Sequence, residues 1–341
     1  MFCKFDVAEI LVCPNCKNSL TISSNEIACE NCIEAWPIKG GIPFFYSSGD
    51  ELDAASNDNG IDRLASLAET TGWENALFEF TKLQLMRGET PKEDLRSTDW
   101  LYLLSLDSDS VVLVLGCGLG TVPIALSERC KLVYAVDSSW DQVKFLNIRK
   151  TQQGIDNLFP IYVSGELDLP INTEKFDFVA VTHFPWNTTA GKNFADFTNF
   201  INGLLIENGE VYLRLGNKLA FRTPFLYRPS NKAFPLHTVF TYKRILKAKG
   251  FNDIQIYAPL PRYDRIPLFY VPVENTSALK FFFRTIFPLF EMASPEVKRN
   301  YALEYTLAKI GVKLAILFRL TSLAKIFVPG FGIIAKKKNN V

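Results

Sequence analysis

Histidine is nearly absent from this 341-residue sequence, which holds two. Few side chains can therefore change charge near neutral pH, and the choice of a general base is narrow. An excess of either charge is missing too: 37 Lys+Arg against 36 Asp+Glu leave +1, which gives no overall field to draw in nucleic acid. No long apolar run exists. The longest uncharged stretch, 110–127, contains three glycines and a proline, so it reads as strand, loop and helix start rather than a membrane span. The opening MFCKFDVAEI lacks the basic start and apolar run of a secretory signal, so the cysteines are expected to be reduced and the chain cytoplasmic. Internal repeats are absent, and the terminal KKKNN is the one low-complexity feature.

What is there suits a folded protein. Hydrophobic residues make up 48% and charged residues 21%, and the length allows about two domains with a small extra module. Charge is unevenly placed. From Lys280 onward stand 11 basic and 3 acidic residues, a local +8, so residues 1–279 carry −7.

Four of the seven cysteines lie near the start, as Cys13-x-x-Cys16 and Cys29-x-x-Cys32 with twelve residues between the pairs. Each tight knuckle aims two thiolates at a common point, and together they can enclose one tetrahedral zinc with no open position. Such a zinc is structural, and its binding helps to fold a segment too short to stand alone. Cys3, Cys117 and Cys130 have no partners at ligand spacing. The stretch from Ile10 to Phe45, with its Trp36-Pro37-Ile38 and Gly41-Ile42-Pro43 ending, resembles the small zinc-ribbon protein that binds and activates several tRNA, rRNA and release-factor methyltransferases. That resemblance implies a ribbon packed on a methyltransferase domain, here as a covalent fusion.

Residues 47–59 are polar and acidic and read as a linker. Residues 60–106 have helical spacing, with a helix expected to start at Pro91 and lead to Trp100. An α/β rhythm follows. VVLVLG, KLVYAVD, FPIYVSG, FDFVAVTH and EVYLRLG read as strands; TVPIALSER, SWDQVKFLNIRKTQQ (closed by Gly154) and FADFTNFINGLLIENG read as helices. IQIYA and RIPLFYVPV add strands without a helix between them, the pattern of a hairpin at a sheet edge. The expected fold class is α/β: a doubly wound, seven-stranded Rossmann-like sheet with its last strand antiparallel, a zinc ribbon before it and a C-terminal helical segment after it. The expected boundaries are 1–48 for the ribbon, 49–106 for the linker and helical lead-in, 107–275 for the core and 276–341 for a basic amphipathic helical segment.

VVLVL runs into Gly116-Cys117-Gly118-Leu119-Gly120, glycines that let the backbone turn sharply and approach a ligand at the carboxyl end of the first strand. Asp137 ends the next strand, where a carboxylate can accept both ribose hydroxyls of a nucleoside. A dinucleotide fingerprint wants glycine or alanine at Thr121, so the spacing suits a ligand without a pyrophosphate. With YVSGELDLP and KFDFVAV following, the stretch resembles the class I methyltransferase core over about residues 107–275. The resemblance implies S-adenosyl-L-methionine as cofactor. Gly116, Cys117, Gly118 and Gly120 would face its methionine part, Asp137 with Ser138 its ribose, and Glu166 its adenine, where the family usually has aspartate. Asp177 matches a position commonly structural in that family.

Methyl transfer from a sulfonium needs chiefly alignment, and a hydroxyl acceptor also benefits from a base. His183, just past the fourth core strand, His237 in FPLHTVF, and Tyr242 are the candidates, with Arg214 on the same expected rim; a structural role competes for each. HFPWN, residues 183–187, departs from the Asn-Pro-Pro-Tyr signature of amino-directed methyltransferases, and no amide or base-amino acceptor follows from it. The segment from Phe234 to Val273 is similar to the C-terminal part of bacterial methyltransferases of surface-polysaccharide and glycolipid synthesis. It implies a hydroxyl of a glycan, a lipid-linked sugar or another small molecule as acceptor.

Two other readings compete. One makes RNA the acceptor, gripped by the ribbon, against which the acidic balance of residues 1–279 weighs. The other is a non-catalytic protein that only binds cofactor or a partner. Finally, Leu303, Leu307, Ile310, Leu314 and Leu317 fall on one helical face, and with Lys336, Lys337 and Lys338 residues 280–341 could meet an anionic membrane at its inner face. The alternative is a helical subdomain packed on the core.

Overall fold

In a computed structural model, which describes residues 9–47, 61–86, 95–164, 168–182, 193–220, 236–260, 267, 269–292, 306, 309–313 and 323–339, four short strands open the chain. These are β1 (Thr21–Ile22), β2 (Glu26–Cys29), β3 (Glu34–Lys39) and β4 (Ile42–Phe45). The first three pair antiparallel, with Ile27 opposite Trp36. β3 turns into β4 through Gly40 and Gly41, both at positive φ (57° and 82°), as a two-residue hairpin loop demands. Residues divide into two units, 1–211 with 232–234 and 337–341, and 212–231 with 235–336.

In the first unit β4 is followed by helices α1 (Ile61–Thr71) and α2 (Trp73–Met86), joined at Gly72 with φ 87°. The helix expected from Pro91 starts outside the described residues; Leu95–Leu103 is a 3₁₀ helix. Then come β5 (Val111–Leu115), α3 (Thr121–Ser127), β6 (Leu132–Asp137), α4 (Trp140–Gln153), β7 (Leu158–Val163), β8 (Phe176–Val181), α5 (Phe194–Leu204) and β9 (Leu205–Gly216). Strand order is β1-β2-β3-β4-β7-β6-β5-β8-β9, and β4 through β8 are parallel. The near-continuous apolar runs of β5 to β8 are those of strands covered on both faces. Chain order reverses at β5, which lies between β6 and β8; its carboxyl end is the switch point where such sheets leave a crevice.

The ribbon is thus joined to the sheet by backbone. Phe44 and Phe45 of β4 register with Tyr162 and Val163 of β7. A second seam forms where Val12 N–H donates to the Pro170 carbonyl (3.0 Å) and Asn172 N–H to that of Ile10 (2.8 Å).

The second unit takes the end of β9, then α6 (Val239–Ala248), β10 (Phe251–Leu260), β11 (Phe269–Pro272), α7 (Thr276–Phe281), α8 (Ala324–Phe327) and β12 (Gly330–Lys337). Thr238 and Asn275 cap α6 and α7 by accepting backbone N–H bonds. β10 and β11 form the expected antiparallel pair at an edge, and β12 lies between β9 and β10.

The described residues hold twelve strands: the expected seven of the core, β5 to β11, with four in the ribbon and one at the C-terminus. That last strand, β12, corrects the expectation of a helical segment with a basic membrane-facing end. Lys337 is buried, and its Nζ donates to the Leu205 carbonyl at 2.7 Å and lies 3.4 Å from Glu174. It is therefore not free to meet headgroups. Of the amphipathic run, residues 306 and 309–313 are helical, and Leu303, Leu307, Leu314 and Leu317 lie outside the described residues. No helix among the described residues is long and apolar enough to cross a membrane.

Candidate functional site

At the ribbon, both CxxC turns close the same way. Lys17 N–H donates to the Cys13 carbonyl and Ile33 N–H to that of Cys29, each at 2.9 Å, with Lys17 and Ile33 at positive φ (61° and 57°). The four Sγ atoms of Cys13, Cys16, Cys29 and Cys32 lie within 4.8 Å of one another, Cys13–Cys32 at 3.8 Å and Cys16–Cys29 at 3.6 Å. A tetrahedron with metal–sulfur bonds of ~2.3 Å has edges of about 3.8 Å. None of the four is in a disulfide. The donor set fits a structural zinc, with no place for a water ligand.

At the carboxyl end of β5, Gly116, Gly118 and Gly120 all take positive φ (85°, 54° and 99°). Gly120 has a second constraint: a Cβ there would stand 2.7 Å from Leu146 Cδ1 of α4. The loop is pinned on every side. Asp137 accepts from Gly118 N–H at 3.2 Å and from Ser139 N–H at 2.9 Å. Thr182 Oγ1, just past β8, donates to the Gly116 carbonyl at 3.1 Å. Arg149 Nη1 donates to the Leu119 carbonyl at 2.7 Å. Cys117 is buried, its Sγ 3.5 Å from the Gly118 carbonyl. Burial pushes the Asp137 carboxyl above its ordinary range, against the pull of the backbone N–H groups of Ser139 and Gly118. Ser138 is half-buried beside it.

Next to Asp137 stands an aromatic wall. Phe44, from the ribbon, stacks on Tyr162 (4.3 Å, 19°) and meets the edge of Trp140 (5.0 Å, 81°), the first residue of α4. Ser164 continues β7 past that wall, with its N–H donating to the Phe45 carbonyl at 2.9 Å. Its hydroxyl is buried and has no hydrogen-bond partner among the described residues.

Residues 113–213 match the methyltransferase domain family, and residues 4–41 match the Trm112p-like protein family. A probable cobalt-precorrin-6B C(15)-methyltransferase (decarboxylating) of Methanococcus maripaludis is 32% identical over 87 residues, 26% of this chain and 45% of that protein. The chain thus spans about half the length of that relative. The protein with the same description from Methanocaldococcus jannaschii is 41% identical over 154 residues, 40% of this chain and 83% of that protein. This chain belongs to the S-adenosylmethionine-dependent methyltransferase family. Among solved structures, phosphoethanolamine N-methyltransferase 2 of Haemonchus contortus is 16% identical with a TM-score of 0.45, covering 80% of this chain and 59% of its own. The complex of the Haloferax volcanii Trm112 methyltransferase activator with a putative methyltransferase gives 11% and 0.44, covering 82% and 98%.

The crevice has side chains that could hold a nucleoside. Asp137 Oδ2 accepts from Gly118 N–H and Oδ1 from Ser139 N–H, and a carboxylate has further acceptor sites beyond these. The unpartnered Ser164 hydroxyl stands at the adjacent strand end. Glu166 and His183 lie outside the described residues. Asp177 is structural, as expected: its Oδ2 accepts from Val111 N–H at 2.7 Å.

His237, Tyr242 and Arg214 belong to the second unit. Tyr242 is buried; its hydroxyl donates to the Gly216 carbonyl at 3.0 Å and accepts from His237 N–H at 3.2 Å, a latch between β9 and the start of α6. Burial first, and Lys218 second, hold the His237 imidazole below its usual pKa. Burial raises the Tyr212 phenol well above its usual range, with Tyr270 raising it further and Arg214 opposing.

Reading by residue type alone passes over Thr182, Arg149, Ser164 and the wall of Phe44, Trp140 and Tyr162. Two left a signal. Thr182 directly follows a core strand, and Arg149 falls in line with Val143 and Leu146 on the buried face of its helix.

Proposed function

We propose that this methyltransferase carries the methyl group of S-adenosylmethionine to a small-molecule acceptor whose nucleophile is a carbon of an electron-rich ring, a tetrapyrrole precursor being the class that fits. The names of the curated relatives support this acceptor, since each specifies C(15) of a cobalt-precorrin. They lend no support to a glycan or lipid-linked hydroxyl. RNA is not favoured either, with −7 over residues 1–279. The cofactor half of the reading rests on the Asp137 carboxylate held against the glycine loop at the switch point.

When bound, the cofactor supplies an electrophilic methyl group activated by its sulfonium. The chain's own part is alignment: Asp137 fixes the ribose, Ser164 with the Trp140–Tyr162 wall borders the nucleobase, and the Gly116–Gly120 backbone holds the methionine end. Of the candidate bases among the described residues, the Tyr242 hydroxyl is engaged on both sides, which leaves it no free role as a base. In this reading residues 1–48 are the ribbon, 107–275 the core, and 276–341 a C-terminal extension whose strand joins the second unit.

Carbon-13 methyl-labelled cofactor given with tetrapyrrole precursors and, separately, with sugar acceptors tests this. The expected product carries a carbon-bound methyl by its chemical shift, and Asp137→Asn lowers the rate about tenfold or more. An oxygen-bound methyl on a sugar, with no transfer to the ring compound, would reject the acceptor assignment.

A further inference from the structure

Beneath the glycine loop lies a buried charge. Arg149 is 5% exposed, near the end of α4, and its guanidinium is held by three elements. Nη1 donates to the Leu119 carbonyl at 2.7 Å, and it would sit 3.6 Å from a Cβ added at Gly120. On its other side the guanidinium lies over the ring of Trp73, 4.4 Å from the centroid. Trp73 opens α2 and is fixed in turn by one side chain of α4: its N–H donates to Gln152 Oε1 at 2.7 Å, while Gln152 Nε2 donates to the Ala68 carbonyl of α1 at 2.9 Å. The α1–α2 junction, α4 and the glycine loop therefore meet at one buried cation. Leu119 itself packs in the same core cluster as Leu64, Ala68, Phe80 and Phe145.

Burying a guanidinium is costly, and an apolar side chain of similar volume would pack there at lower cost. What an apolar side chain could not do is hold the Leu119 carbonyl. Tying that carbonyl down on the helix side fixes the peptide plane between Leu119 and Gly120, so the loop's remaining backbone groups stay turned to the ligand side. The positive charge also favours a carboxylate in the crevice above, because screening is weak at a buried site.

We propose that Arg149 is a positioning residue for the cofactor: acting through the Leu119 carbonyl, it sets the glycine loop for the amino-acid end of the ligand, and the α1–α2 helices clamp it through Trp73. This rests on the cofactor reading above and deepens it.

The test compares two ligands on the full zinc-loaded chain. S-adenosylhomocysteine carries the amino-acid end, and 5′-methylthioadenosine keeps the nucleoside and sulfur but lacks it. Arg149→Met should weaken S-adenosylhomocysteine by about ten- to a hundredfold and leave methylthioadenosine within about twofold. Arg149→Lys, which can still donate to the carbonyl, should recover part of the loss. Should Arg149→Met fail to fold, Trp73→Leu keeps the arginine and removes its clamp, and it should show the same ligand contrast at smaller size. Equal weakening of both ligands, or of neither, would overturn the proposal. A wild-type chain that binds neither ligand would instead remove the cofactor reading beneath it.

Discussion

Asp137 is a carboxylate that folding places where it would rather be neutral. Its folded-state pKa lies above the unfolded value, so its contribution to stability is full at low pH and declines as pH rises from the ordinary carboxylate range toward the raised value. In the proposed site, ribose hydroxyls would donate to the charged form and favour it, so ligand binding would expel the proton. Affinity for S-adenosylhomocysteine should accordingly rise with pH across that window. Asp137→Asn, which has nothing to titrate, should bind about tenfold more weakly with a flat profile there, as read by calorimetry at several pH values. The same slope in the asparagine variant would place the titrating group elsewhere. The tight turn at Gly116, Gly118 and Gly120 and the strand-end place of Asp137 were legible as sequence because residue type at a strand end dictates both. Ser164 was not, since its significance is that its hydroxyl is buried without a partner, which only tertiary structure creates. Tyr242 shows the reverse: a plausible base by type and place, whose hydroxyl the fold spends on joining β9 to α6.

The ribbon was equally legible as an element, from the spacing of Cys13, Cys16, Cys29 and Cys32, but its docking was not. Strand β4 is four residues of apolar sequence whose partner is chosen by tertiary structure, and the chosen partner is the sheet edge at β7. β12 is not legible for a related reason: FGIIA is too short a run to separate strand from helix, and the lysines behind it give the segment the pattern of a basic tail. The pairing of β4 with β7 makes the zinc site a support for the cofactor crevice, because the Ser164 N–H is bonded to the Phe45 carbonyl and Phe44 lies against both Tyr162 and Trp140. Removing zinc with a chelator under reducing conditions should unfold residues 9–47. It should also raise hydrogen exchange at Ser164 about tenfold or more, and Cys29→Ser should do the same at full zinc. Unchanged protection along β7 after zinc loss would show that the ribbon stands apart from the sheet.

On the scale of the whole molecule, fold class was readable because strand and helix alternate from Val111 to Gly216 with the glycine loop after the first core strand. The seven core strands, β5 to β11, were readable for the same reason, whereas the C-terminal strand β12 lay outside that alternation. Charge is unevenly distributed: −7 over residues 1–279, with the basic excess from Lys280 onward and one of its lysines, Lys337, engaged internally. In the function proposed above, the crevice at the end of β5 takes a nucleoside that carries an amino acid and has no pyrophosphate. Titration calorimetry of the zinc-loaded full chain with S-adenosylhomocysteine and, in parallel, with a nicotinamide dinucleotide tests this most directly. One site of micromolar or tighter affinity for the former and no heat from the latter is the predicted outcome; uptake of the dinucleotide with silence from S-adenosylhomocysteine would contradict it.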